Sequence, residues 1–319
     1  MINLKKCFAL ILFLTNSLFA TEVYKMAFGS CLHQNYPAPI WKAVKQNDID
    51  SFFFLGDNIY GDTPSGLPWK LKSSYELQKK AIPNWLLSKE IYSIWDDHDY
   101  GKNNAGGDYK YKQRAKELYL DFWNIALDDD RRSRPGIYYA TVRQINNNKV
   151  LIIGLDTRYF RSDITLVKGV HIQNLDPSAS ILGTEQWNWL ENTLKIDHDL
   201  LILASSIQVL PTEHRFEKWF NIPADRDKLL QLLGKHSAPT LILSGDRHRG
   251  GIYTYDNIIE VTSSSLNRNS SQNIETDALL LGETYTENNF GLLSINKNSL
   301  TVELIDNNNN TLESISISF

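Results

Sequence analysis

Asp96, Asp97, His98 and Asp99 place three carboxylates around one imidazole, directly after the apolar segment 91–95. Neighbouring carboxylates repel one another, and burying them is costly unless a positive charge or water lies among them. A metal ion is the most economical source of that charge, because carboxylate and imidazole together suit divalent and trivalent cations.

Chemically active side chains also follow five other apolar runs of the chain. They are Cys31, Asp57, Asp156, Gln208 and the pair Asp246 and His248. Runs of four to six apolar residues are typical of strands buried on both faces, and ligands collect at the carboxyl ends of such strands. Each residue alone has a structural explanation as a core residue, cap or turn former. Together they are harder to explain by chance, and they favour bound metal. Two metal ions about 3.5–4 Å apart can bridge a hydroxide and clamp a phosphoryl group.

Helical patterns separate these predicted strands, at residues 109–123, 184–194 and 225–233. Alternating strands and helices predict an α/β fold in layers. The last third of the chain instead predicts antiparallel hairpins joined by turns such as 307–310, which complete a second sheet. No linker or repeat interrupts the chain, so we expect one domain over residues 21–319.

The first twenty residues have the pattern of a secretory signal peptide. Lys5 and Lys6 precede a short apolar run, and small and polar residues lead to Ala20. That run is shorter than the roughly 20 apolar residues that a membrane span needs. We therefore expect export through the general secretory route to the periplasm or the exterior, with no transmembrane segment in the mature protein. Cys7 would leave with the signal, so Cys31 would be the single remaining thiol.

The composition is that of a soluble globular protein. The chain has 319 residues, of which 42% are hydrophobic and 22% charged, and its net charge is −4. A slightly acidic chain without basic runs gives no indication of nucleic-acid binding. We expect a monomer.

Six segments together carry a family resemblance: FGSC, LGDNIY, WDDHD, LDTRYF, LGTEQWNWLE and LSGDRH. In this order and spacing, over about residues 26–250, they resemble the PhoD-like alkaline phosphatase D family of calcineurin-like metallophosphoesterases. The resemblance implies a two-sheet α-β-β-α sandwich, in a short form without the N-terminal β domain of the best-known members. It also implies hydrolysis of phosphate mono- or diesters, in a small-molecule or lipid substrate, by metal-activated hydroxide.

The resemblance assigns roles to individual residues. Its expected metal ligands are Cys31, Asp57, Tyr60, Asp97, Asp246 and His248, with His98, Asp57 and Arg158 as catalytic residues. Fe³⁺ is expected at the Cys31 and Tyr60 site, and Ca²⁺ or another divalent ion at the Asp97 and Asp246 site. Asp57 would bridge the two ions.

Several assignments stay open at this point. Asp156, Gln208, Asn103 and Asn104 have no defined role, and Asp99 stands where the family usually has glutamate. Two other functions also remain: a non-catalytic exported protein that binds metal or phosphate, and a hydrolase with Cys31 as nucleophile.

Overall fold

The computed structural model describes residues 23–269 and 273–318; the predicted signal peptide, residues 1–20, lies outside them. The strands in chain order are β1 Tyr24–Gly29, β2 Ser51–Leu55, β3 Glu90–Ile94, β4 Tyr139–Ile145, β5 Asn148–Gly154, β6 Leu166–Val167, β7 Val170–His171, β8 Leu200–Ser205, β9 Thr240–Ser244, β10 Gly250–Tyr255, β11 Ile258–Ser263, β12 Leu280–Tyr285, β13 Asn289–Ile295, β14 Ser299–Asp306 and β15 Thr311–Ser318. The helices are α1 Ile40–Gln46, α2 Trp69–Ala81, α3 Asn84–Leu87, α4 Asp97–Tyr100, α5 Lys112–Phe122, α6 Asp130–Ser133, α7 Gly183–Thr193 and α8 Pro223–Leu233, with a 3₁₀ turn at Trp219–Asn221.

Two large sheets carry the fold. The first has the order β15-β14-β13-β1-β2-β3, in which β1, β2 and β3 are parallel and the C-terminal strands β13, β14 and β15 form an antiparallel meander. The second has the order β12-β10-β11-β9-β8-β5-β4, with a parallel centre of β5, β8, β9 and β11. The hairpins predicted for the last third therefore supply strands to both sheets.

Side chains that alternate in direction along each strand pack into different layers of the fold. In β2, Phe53 packs between the sheets, whereas Phe52 and Phe54 face the outer layer that contains Trp41 of α1. Successive side chains of a strand point to opposite faces, so a strand of consecutive phenylalanines is buried on both sides. The second sheet packs its outer face on α7 and α8 in the same way. This is the α-β-β-α sandwich that the sequence predicted.

The parallel strands bring the predicted chemistry to one edge. β1, β2 and β3 lead into Cys31, Asp57 and Asp97, while β9 of the other sheet leads into Asp246. Groups of these side chains have ligand atoms within 4.8 Å of one another. The site therefore straddles both sheets.

No helix of the described part of the chain is long and apolar enough to cross a membrane.

Gly291 of β13 makes room for a core ring. It pairs with Phe28 of β1, and a Cβ at this position would overlap the Phe28 ring. We expect Gly291→Ala to lower the free energy of unfolding by ~2–3 kcal/mol, because overpacking forces the ring or the strand to shift. Urea unfolding measures the loss, with Ser294→Ala on the same strand as the control. An equal effect of the two substitutions would contradict the packing argument.

Candidate metal centre and active site

Four of the predicted ligands lie on strained backbone. Cys31, Asp57, Asp246 and His248 have φ angles of 59°, 51°, 67° and 53°. Non-glycine residues adopt this left-handed region infrequently, and such residues concentrate at functional sites. Backbone hydrogen bonds join the loop after β1 to the loop after β2 and hold both in place. One of them runs from the Leu32 N–H to the Asp57 carbonyl at 2.9 Å.

The first group of ligands is Cys31, Asp57, Tyr60 and His248. The Cys31 Sγ and Tyr60 Oη atoms lie 3.4 and 3.3 Å from Asp57 Oδ2, and Tyr60 Oη lies 3.0 Å from His248 Nε2. Thiolate, phenolate and imidazole are the donors that iron and zinc accept. These four atoms therefore fit a transition-metal site.

The second group of candidate ligands is dominated by carboxylates, with His98 as the one imidazole among them. Asp97 and Asp246 cluster with Asp96, and Asp57 clusters with Asp97 and His98. Asp97 Oδ2 accepts the Asn104 N–H at 2.7 Å, while its buried Oδ1 has no hydrogen-bond partner in the described part of the chain. An unpartnered buried carboxylate oxygen is costly, so this oxygen-rich cluster fits a hard cation.

The protein groups alone do not favour the charged forms of most ligands. Burial raises the pKa of Asp57 and of Asp246 well above the usual range and raises that of Cys31 to about 11. Burial, with Arg268 beside it, lowers the pKa of His248 to about 3, which keeps this imidazole neutral and able to bind metal. Bound cations would lower the pKa values of Asp57, Asp246 and Cys31 again, because metal binding releases protons from its ligands.

Asp97 and His98 differ from their neighbours. Burial would raise the pKa of Asp97, but His98, Arg158 and the Asn104 N–H together lower it to about 2. Burial opposes charge on His98, yet Asp97, Asp57 and Asp62 raise its pKa to about 10. These three carboxylates therefore favour the charged form of the His98 imidazole, which lies beside the candidate metal ligands.

Asp62 orients His98. Its Oδ1 lies 2.6 Å from His98 Nδ1, so His98 Nε2 is the nitrogen left for a substrate. A carboxylate of this kind fixes the direction of a histidine ring and stabilises its charged form. Sequence reasoning missed Asp62, although it lies only two residues after GDNIY; its proximity to His98 depends on how the two loops fold.

Asp96, although it clusters with Asp97 and Asp246, and Asp99 also hold the local backbone in place. Asp96 begins α4 with a capping box to Asp99, and Asp99 also accepts the Ile59 N–H at 3.0 Å and the Asn58 amide at 3.2 Å. These bonds join the loop after β3 to the loop after β2 and so fix Asp57 relative to Asp97.

Arg158 lies behind Asp96 and not on the pocket wall. Its fully buried guanidinium donates from Nε to Asp96 Oδ1 at 2.7 Å and from NH1 to Glu217 Oε2 at 2.6 Å. Glu217 also pairs with Arg161 at 3.0 Å. Arg158 is buried in these ion pairs and is not among the residues that line the cavity described below, so its geometry fits a positioning role better than direct contact with a substrate.

Asp156 and Gln208 lie away from the metal ligands. Asp156 accepts hydrogen bonds from Trp95 Nε1 and from the backbone of Ile137, Arg158 and Tyr159, as a turn-forming residue does. Gln208 is buried and donates to Thr262 Oγ1 at 2.7 Å. Neither side chain lines the cavity over the site.

That cavity has a volume of about 320 Å³. Its lining residues are Asp57, Asp97, His98, Asn103, Asn104, Leu166, Gly169, His171, Phe216, Glu217, Asp246, Arg247 and His248. Leu166, Gly169 and His171 come from the β6–β7 hairpin, whose part in the site the sequence did not predict. Cys31 is not among the lining residues and its side chain is fully buried, which disfavours it as a nucleophile.

Comparison with known proteins identifies the family. The sequence profile of the PhoD-like phosphatase family matches residues 88–311, which is more than half of the chain. None of the curated proteins matches this sequence.

Solved structures share the fold at low sequence identity. PhoD superposes with a TM-score of 0.70 at 15% identity, covering 93% of this chain and 68% of PhoD. GAP50, the anchor in the inner membrane complex of Plasmodium, has a TM-score of 0.64 at 12% identity, with 93% and 89% covered. Purple acid phosphatase PPD1 from yellow lupin (Lupinus luteus) seeds has a TM-score of 0.62 at 15% identity, with 93% and 54% covered.

Proposed function

The chain belongs to the PhoD-like phosphatase family, a family of phosphoric ester hydrolases, and on this basis we propose that it is an exported two-metal phosphoesterase acting on mono- or diesters. One observation carries the metal part of the proposal. The Asp57 carboxylate belongs both to the group with Cys31 and His248 and to the group with Asp97 and His98. A single carboxylate between two ligand groups is the arrangement that holds a metal pair.

The donor sets suggest which ions would bind. Cys31, Tyr60, Asp57 and His248 would hold Fe³⁺, and Asp57, Asp97 and Asp246 would hold Ca²⁺ or another divalent ion. When bound, such a pair supplies activated water and neutralises charge on the phosphoryl oxygens. Asn103 and Asn104 line the cavity, so their amides would be available to the second ion or to the phosphate.

The protein side chains supply orientation and a proton. His98, oriented by Asp62, would give its Nε2 proton to the departing oxygen of the ester. Arg158 would stabilise Asp96 as an anion and thereby fix the start of α4, from which Asp97 and His98 project. Leu166 and Phe216 provide apolar surface at the cavity wall, which would accommodate a leaving group with an apolar part.

Export is part of the proposal and rests on residues 1–20. Cleavage after Ala20 would leave one domain, residues 21–319, to acquire its metals outside the cytoplasm. N-terminal sequencing of protein recovered from the periplasm or the medium would test this directly.

The decisive experiment compares an aryl phosphodiester with its monoester, using the mature protein loaded with Fe³⁺ and Ca²⁺. We expect turnover of at least one ester, lost on chelation and restored by metal. Metal-loaded protein without turnover would instead support a binding protein. The same fold belongs to GAP50, described as an anchor, so the scaffold alone does not establish catalysis.

Cys31→Ser distinguishes a ligand from a nucleophile. As a ligand, Cys31 stabilises the first metal, so the variant is expected to bind iron ~10–100-fold more weakly and to regain activity at high iron. A nucleophile would behave in the opposite way, with metal content unchanged and activity absent at every iron concentration. Metal titration with parallel rate measurements separates the two.

Asp62→Asn tests the orientation of His98. We expect kcat to fall ~10–100-fold for esters of alkyl alcohols, whose departing oxygen needs a proton, and less than ~3-fold for nitrophenyl esters. Metal content should not change, since Asp62 is not one of the proposed ligands. The control is Asp108→Asn, which removes the same charge at an exposed position. Equal losses for both kinds of ester would contradict the proposed role.

A further inference from the structure

Three arginines near the candidate site, Arg158, Arg161 and Arg247, are neutralised by protein carboxylates, and a fourth is not. Arg158 pairs with Asp96 and Glu217, and Arg161 with Glu217. Arg247 lies 2.5 Å from Glu275 Oε1 and is 4% exposed. The remaining one, Arg268, is half-buried and has no carboxylate within salt-bridge distance among residues 23–269 and 273–318.

The Arg268 guanidinium lies directly beside the first ligand group. Its Cζ is 4.3 Å from the centre of the Tyr60 ring, whose Oη contacts both Asp57 and His248. Cation and ring face attract each other at this distance. Arg268 is not among the residues that line the cavity, but the contact holds its guanidinium against Tyr60, whose Oη touches the lining residues Asp57 and His248. Its side chain has no hydrogen bond to another described residue, which leaves its planar N–H groups for an anion.

The backbone that carries Arg268 is tied to the Cys31 loop. Leu266 N–H donates to the Ser30 carbonyl at 3.1 Å, and Asn267 N–H to the Cys31 carbonyl at 3.4 Å. The Asn267 side chain accepts the His33 N–H at 2.6 Å and donates to the His33 carbonyl at 2.9 Å. Arg268 thus follows a segment whose position is set by the proposed ligand loop itself, which suits a preorganised contact.

We propose that Arg268 binds the phosphoryl group of the substrate and favours monoesters over diesters. This inference rests on the phosphoesterase function proposed above. A monoester near neutral pH carries up to two negative charges on three free oxygens, whereas a diester carries one charge on two. Because a guanidinium bonds phosphate oxygens in pairs, it gains more from the monoester and from free phosphate.

The test compares Arg268→Gln and Arg268→Lys with the unaltered, metal-loaded enzyme. For Arg268→Gln, we expect kcat/KM for an aryl monoester to fall at least ~10-fold and that for the matching diester less than ~3-fold. Inhibition by inorganic phosphate should weaken at least ~10-fold, with Arg268→Lys intermediate because it keeps the charge. Arg114→Gln on α5, an exposed arginine paired with Glu117, is the control for net charge and should match the unaltered enzyme.

The outcomes separate this inference from the proposed function. Equal losses for both esters, together with lower metal content, would mean that Arg268 only supports Tyr60 and would overturn the inference. Unchanged kinetics would also overturn it. If the unaltered enzyme hydrolyses neither ester, the proposed function fails, and phosphate binding to metal-loaded protein still decides the inference: equal affinity in Arg268→Gln would refute it.

Discussion

Asp57→Asn is expected to abolish the binding of both metal ions and to lower the rate of ester hydrolysis at least ~10³-fold. The Asp57 carboxylate is the one ligand common to the two candidate groups, so its loss removes a charge from each. Asparagine keeps the shape of the side chain and tolerates the left-handed φ of 51° better than most residues. The substitution therefore tests the charge and leaves the backbone undisturbed.

Metal analysis, single-turnover rates and thermal unfolding would be measured together on this variant. Asp48→Asn is the matched control, since Asp48 has a similar φ of 47° but an exposed side chain. Without added metal, the Asp57→Asn protein should unfold at a temperature no lower than the unaltered one, because burial of Asp57 disfavours its charged form. Retention of two ions and normal turnover would refute the bridging role.

Arg158→Met is expected to have the second-largest effect, and its main consequence is a lower free energy of unfolding. The substitution leaves Asp96 and Glu217, which are 0% and 2% exposed, without their main cationic partner. Removing one member of a buried ion pair costs about 3–5 kcal/mol, because the remaining charge stays desolvated. Affinity for the second metal should fall as well, since Asp96 begins the helix that carries Asp97.

The outcome for Arg158 decides between positioning and direct contact with substrate. If Arg158 contacted the substrate, its substitution would raise KM and leave the free energy of unfolding unchanged. That result would contradict the buried geometry. Arg143→Met is the control, because Arg143 pairs with Glu90 at the surface and such pairs contribute about 0–1 kcal/mol. If Arg158→Met does not fold, Arg158→Lys keeps the charge and allows the same comparison with a smaller loss of stability.

Much of the site was predictable because it is local. Cys31, Asp57, Asp97 and Asp246 each follow a buried strand, and the carboxyl ends of parallel strands meet at one edge. Apolar runs and the residues directly after them are visible in the printed sequence. The predicted helices 109–123, 184–194 and 225–233 likewise correspond to α5, α7 and α8 within a few residues.

The roles of the polar residues between and behind these ligands were not predictable. Asp156 and Arg158 are separated by a single residue in LDTR. Arg158 nevertheless belongs to a buried ion-pair cluster, whereas Asp156 forms a turn. Asp99 and Asp97 both belong to α4, but only Asp97 points to the other ligands. Local sequence cannot distinguish these roles, because a charged residue at a given position after a strand can serve in any of them.

The amino-acid sequence by itself determined the family, the layered fold and the strand-end residues, since these follow from local hydrophobic patterns and short motifs. Only the tertiary structure decided which groups act together: Tyr60 with His248, 188 positions apart, His98 with Asp62, and Arg268 with Tyr60. The physical reason is that burial and a neighbouring charge give a side chain its protonation and its partners. Both of these arise when the two sheets pack and bring distant loops to one edge.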